Sequence, residues 1–76
     1  MRFTPPKSIA EAQFYGVCRE LESEKDPKAA LMLQGAALIM AKYMTLCGWS
    51  SKEDDEIHYK RIEQAVRYQK EGMEGD

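Results

Sequence analysis

The longest apolar run in the chain, "AALMLQGAALIMAKYMTLC" from Ala29 to Cys47, carries one full charge, Lys42, and almost no polar face. A helical stretch that is apolar nearly all round belongs to an element buried on most sides. On either side of it the pattern is amphipathic. Upstream, Ala10, Phe14, Val17, Cys18 and Leu21 recur at helical spacing and form one stripe. Downstream, Tyr59, Ile62, Ala65, Val66 and Gln69 form another. No segment alternates at period two between turn signals, so no strand is expected.

Punctuation separates the three stretches. "SIAE" reads as a capping box, with Ser8 as N-cap and Glu11 reaching back, after an extended Pro5-Pro6. Asp26-Pro27 is a break and restart: Asp26 caps, and Pro27 takes the first helical position, where its missing N–H costs nothing. Gly48 stops the second helix. "SSKE" opens the third, Ser50 pairing with Glu53. The expected fold is therefore all-α, a compact three-helix unit with helices over about 8–25, 26–47 and 51–71. It forms one domain over 1–76, with an extended arm at 1–7 and a frayed tail at 73–76. Neighbouring helices run antiparallel through short turns.

On a helical wheel Ile39, Met32, Tyr43, Ala36, Cys47, Met40, Leu33, Met44 and Ala37 share one broad arc. It is wide enough to face both other helices, and this predicts the core side of helix 2. Leu31 and Leu38 fall outside it, seven residues apart beside Gln34 and Gly35. Ile57 and Tyr68 likewise lie off the core stripe of helix 3. More apolar surface remains than a three-helix monomer needs, which predicts homo-oligomerisation and a protein interface including Leu31, Gln34, Leu38, Ile57 and Tyr68. The alternative sink is the arm with Phe3, or helix 1 lying over the ridge.

Size and charge narrow the functional classes. With 76 residues and a net charge of −2, signs interspersed, nothing favours nucleic acid or anionic lipid. A monomer of this length has a marginal core. Helix 2 is about long enough to span a bilayer. However, Lys42 costs about +2.5 to +3.5 kcal/mol at a central position, against only a few kcal/mol gained from its leucines and isoleucine, so no membrane span is expected. "MRFTPPKS" has no apolar h-region, which argues against a secretory signal. Cys18 and Cys47, both on apolar stripes, read as buried thiols in a reducing, cytoplasmic setting; the alternative is one disulfide joining helices 1 and 2.

Candidate chemistry is sparse. His58 is the sole histidine, a half-buried packing residue with Asp54 four residues earlier as its nearest carboxylate. No activated nucleophile accompanies the pair. Two separated cysteines and one histidine do not make a zinc pattern, and "DDE" at 54–56 lacks the ligand alternation of a calcium loop. No phosphate loop is present. No catalytic, cofactor or metal residue is therefore assigned. The short "GWS" turn invites comparison with a helix-turn-helix, but the would-be recognition helix opens with Glu53, Asp54, Asp55 and Glu56, which repel a duplex. Trp49 reads as packing back on the last turn of helix 2. The expectation is a non-enzymatic adaptor, regulator or stoichiometric inhibitor of a larger protein, of a size that suits an accessory protein of a phage or mobile element. The alternatives are a nucleic-acid-binding regulator and a small-ligand or nucleotide sensor with an inter-subunit site.

Overall fold

The computed structural model describes residues 6–74. Three helices account for nearly all of them: α1 (Pro6–Ser23), α2 (Pro27–Leu46) and α3 (Lys52–Glu74). Each packs against the other two. Lys7 reaches Asp54 at 3.5 Å at one end. At the other, the Gln69 side-chain amide donates to the Glu24 carbonyl at 3.3 Å. So α1 and α3 run in the same direction, with α2 antiparallel to both.

The element boundaries follow local chemistry. α1 is already helical at Pro6, so Ser8 lies inside its first turn and is not its cap. Proline suits the first turn because it has no N–H to leave unsatisfied. Of the expected extended arm, residues 6 and 7 are helical; 1–5 lie outside the described residues. α1 ends at Ser23, two residues early, where the Glu24 carboxylate accepts from the backbone N–H groups of Lys25 and Asp26, each at 3.1 Å. Asp26 must also leave the helical region ahead of a proline. It caps α2 as expected, accepting from the Lys28 N–H, with Pro27 behind it.

The α2 end is a complete Schellman motif. Gly48 takes φ +75°. Its N–H donates to Thr45 O at 3.0 Å, and the Trp49 N–H donates to Met44 O at 2.9 Å. The accompanying apolar contact is Trp49 edge-on to Tyr43, ring centroids 5.9 Å apart. Ser51, not Ser50, caps α3. Its hydroxyl accepts from the Asp54 N–H at 3.1 Å, and its own N–H donates to the Asp54 carboxylate at 3.0 Å. The box is Ser-x-x-Asp, shifted one residue from the Ser50/Glu53 pair. α3 runs through Gly72 to Glu74, so 73 and 74 belong to the helix and not to a tail.

The core is small and unevenly supplied. Phe14, Cys18 and Leu21 of α1, Ile62 and Ala65 of α3, and Ala30, Ala37, Ala41 and Met44 of α2 are buried. Three of the four α2 residues are alanines. The predicted core arc of α2 is therefore rotated by about 80°. Of its members Met44 and Ala37 are buried, while Met32, Ile39, Tyr43 and Cys47 face outward. Alanines let α2 sit close to both neighbours, and that proximity turns its bulky side chains away. On α3, Ile62, Ala65 and Gln69 are buried as expected, but Tyr59 is exposed.

Candidate interaction surface

α2 presents large apolar side chains on both of its outer flanks. On the flank nearer α1, Met32 is 75% exposed, Ile39 70% and Leu46 79%, with Tyr43 beside them. Ile39 and Tyr43 continue into a groove of about 420 Å³ shared with Ile9, Ala10 and Gln13 of α1 and closed by Met40 and Trp49. Exposed apolar side chains grouped in this way on a small domain make this flank a candidate contact surface.

The flank nearer α3 carries the residues singled out from the sequence. Leu31 is well exposed and Leu38 partly so; Gln34 is half-buried between them. They line two adjoining hollows along the α2–α3 seam that share Gln34 and Val66. Tyr59 and Glu63 border the hollow beside Leu38. Ile57 and Tyr68 are exposed too, but elsewhere: Ile57 lines a hollow between α1 and α3 with Tyr15, Lys60, Arg61 and Arg67. The fold thus brings Leu31, Gln34 and Leu38 together and leaves Ile57 and Tyr68 out of that group. Sequence reasoning missed the larger flank of Met32, Ile39, Tyr43 and Leu46. Its signal was the alanine spacing at 30, 37 and 41, which marks the side of closest approach.

The polar groups are largely tied into structure. Arg61 pairs with Glu22 of α1 at 2.6 Å. The Ser51 N–H and hydroxyl, then the Lys7 ammonium, hold the Asp54 carboxyl below the usual carboxylate range. Asp55 accepts from the Thr45 hydroxyl, joining the end of α2 to the start of α3. The expected half-buried His58 is in fact 3% exposed. Its ring packs tilted against Phe14 at 4.8 Å and edge-on to Tyr15 at 6.1 Å, and its Nδ1 has no hydrogen-bond partner among the described residues. Asp54 is committed to Ser51 and Lys7, so the Asp54–His58 pair considered from the sequence is not made.

Both cysteines are free, so the α1–α2 disulfide does not form. Cys18 is buried, and burial pushes its thiol up, partly offset by Arg61. Cys47 is exposed, contrary to the expectation of two buried thiols, because the rotation of α2 carries it off the core side. Among the described residues no group of three or more His, Cys, Asp or Glu could hold a metal ion. α2, at 20 residues and a mean hydropathy of 1.4, is long and apolar enough to cross a membrane by length and composition.

No family model, no curated protein and no solved structure matches the chain.

Proposed function

We propose that this chain is a small non-enzymatic interaction module, working as a homo-oligomer and acting as adaptor, regulator or stoichiometric inhibitor of a larger protein. One observation carries the reading: α2 turns alanines inward and Met32, Ile39, Tyr43, Leu46 and Leu31 outward. A monomer stabilised only by its own core would do the reverse, since burying a large apolar side chain contributes about 1.5–3 kcal/mol. The outward residues are those a partner covers.

Two flanks suggest two contacts. The α2–α3 seam, with Leu31 and Leu38 as apolar anchors and Gln34 and Glu63 as a polar rim, suits a protein ligand. The same layout speaks against a duplex, because the first turn of α3 holds Glu53, Asp54 and Asp55. Against a span stand the alanine side of α2, which packs on α1 and α3, and the outer side, which carries Lys28 and Lys42; the setting proposed with this reading is the cytoplasm.

Affinity capture from the host lysate, followed by titration of the purified partner, tests the reading. Leu31→Ala and Leu38→Ala should each weaken binding by about 1–2 kcal/mol, roughly tenfold, with helicity retained. Glu63→Gln should cost less and flatten the salt dependence. Salt-sensitive binding to duplex DNA without any protein partner would replace this reading with the nucleic-acid one. A ligand-dependent rise in melting temperature would replace it with the sensor.

A further inference from the structure

We propose that a second copy of this chain packs on the outward face of α2, the two helices running antiparallel and crossing at Gly35. This rests on reading the outward residues as an interface, and it assigns the occupant of the flank away from the α2–α3 seam.

Spacing comes first. Met32, Ile39 and Leu46 recur every seven residues, and Lys28, Gly35 and Lys42 recur every seven between them. The two sets alternate by threes and fours, the spacing of a seam between two helices. All three apolar members are at least 70% exposed. Gly35 and Ile39 flank the midpoint of the 20-residue helix. A two-fold axis there overlaps the helices along their whole length and sets Ile39 of each copy over the partner's Gly35. The contact is isologous and closes at two copies.

Gly35 is the second observation, and packing within the chain does not account for it. A Cβ there would meet nothing within 4 Å, and the residue has no positive φ. Glycine at mid-helix destabilises relative to alanine. At a crossing point it allows two helix backbones to approach closely, so its cost is met between chains.

Charge and area agree. Lys28 stands in the first turn of α2, the end where a helix disfavours a cation, while the last turn holds no basic residue. An antiparallel copy moves each Lys28 to the carbonyl end of the partner's α2, next to the acidic start of its α3. Met32, Ile39, Tyr43 and Leu46, with the stems of the lysines, offer roughly 600 Å² per copy, the lower range of specific interfaces.

Sedimentation of the full-length chain across a wide concentration range tests this. The expected mass is twice 8.7 kDa. Ile39→Glu and Gly35→Leu should each return a monomer with an unchanged helical spectrum; Leu38→Ala should remain a dimer. A spin label at Lys28→Cys, in a Cys47→Ser background with Cys18 buried, should give a separation of roughly 25–30 Å, from nine residues on each side of the axis at ~1.5 Å each. A parallel pair would give about 10 Å and overturn the arrangement. A monomer at every concentration overturns the dimer, as does a dimer broken by Leu38→Ala and not by Ile39→Glu. If that monomer still binds a partner through Leu31 and Leu38, the interaction reading stands without the dimer. If it binds neutral lipid vesicles and Ile39→Glu abolishes that, the occupant of this face is a membrane and the dimer is wrong.

Discussion

His58 shows how far residue type misleads without its surroundings. It is the only histidine in the chain, yet the structure uses it as an aromatic ring against Phe14, with Nδ1 unpartnered. A buried unmatched polar atom costs stability, whereas an apolar ring of similar shape would not. His58→Phe should therefore leave the unfolding midpoint equal or higher. His58→Ala should lower stability by about 2–4 kcal/mol through the cavity it opens. Urea unfolding of both variants checks the pair, and a loss of stability in His58→Phe comparable to that in His58→Ala would show that the imidazole is needed as such. The cysteines make a parallel case. Cys47 is exposed and Cys18 buried, with its thiol pushed up. A chromophoric disulfide reagent should modify one thiol promptly under native conditions and the second only on unfolding; Cys47→Ser should remove the prompt phase.

At the scale of the element, the start of α3 combines cap and charge. Ser51 and Asp54 exchange hydrogen bonds, and Lys7 of α1 lies 3.5 Å from the Asp54 carboxylate. Ser51→Ala should cost about 1 kcal/mol, the ordinary worth of an N-cap. Because the Asp54 carboxyl is held below its usual range, folding favours its charged form. Its contribution is complete above the usual carboxylate pKa and is lost as pH falls through the lowered one. Asp54→Asn should flatten the acid limb of the stability–pH curve while keeping a cap acceptor. Thermal melts of both chains from neutral to acid pH measure the difference, and superimposable limbs would deny Asp54 this role. Helix boundaries were readable to within three residues because Pro27, Gly48 and Ser51 act locally.

For the whole molecule, the question is where the apolar surface goes. The buried core holds four residues of α2, three of them alanines. A chain of this size gains little from so small a core, and the dimer proposed above would add to its stability. The melting temperature should rise with protein concentration, and Ile39→Glu should abolish that dependence, as read by scanning calorimetry at several concentrations. A concentration-independent midpoint for the wild type would mean that three helices alone hold the fold.

Helix content, helix number, the Asp26-Pro27 restart and the Gly48 stop were determined by the sequence alone, because each depends on neighbours within one turn. The candidate surface was legible only in part. Leu31 and Leu38 stood out because polar and small residues surround them, and the structure leaves both exposed. The flank of Met32, Ile39, Tyr43 and Leu46 did not, because a helix that is apolar nearly all round has no polar face to define its orientation. Which side turned inward was decided by tertiary packing. α2 lies against Phe14, Cys18 and Leu21 of α1 and against Ile62 and Ala65 of α3, and close approach to both favours its alanines over its larger side chains.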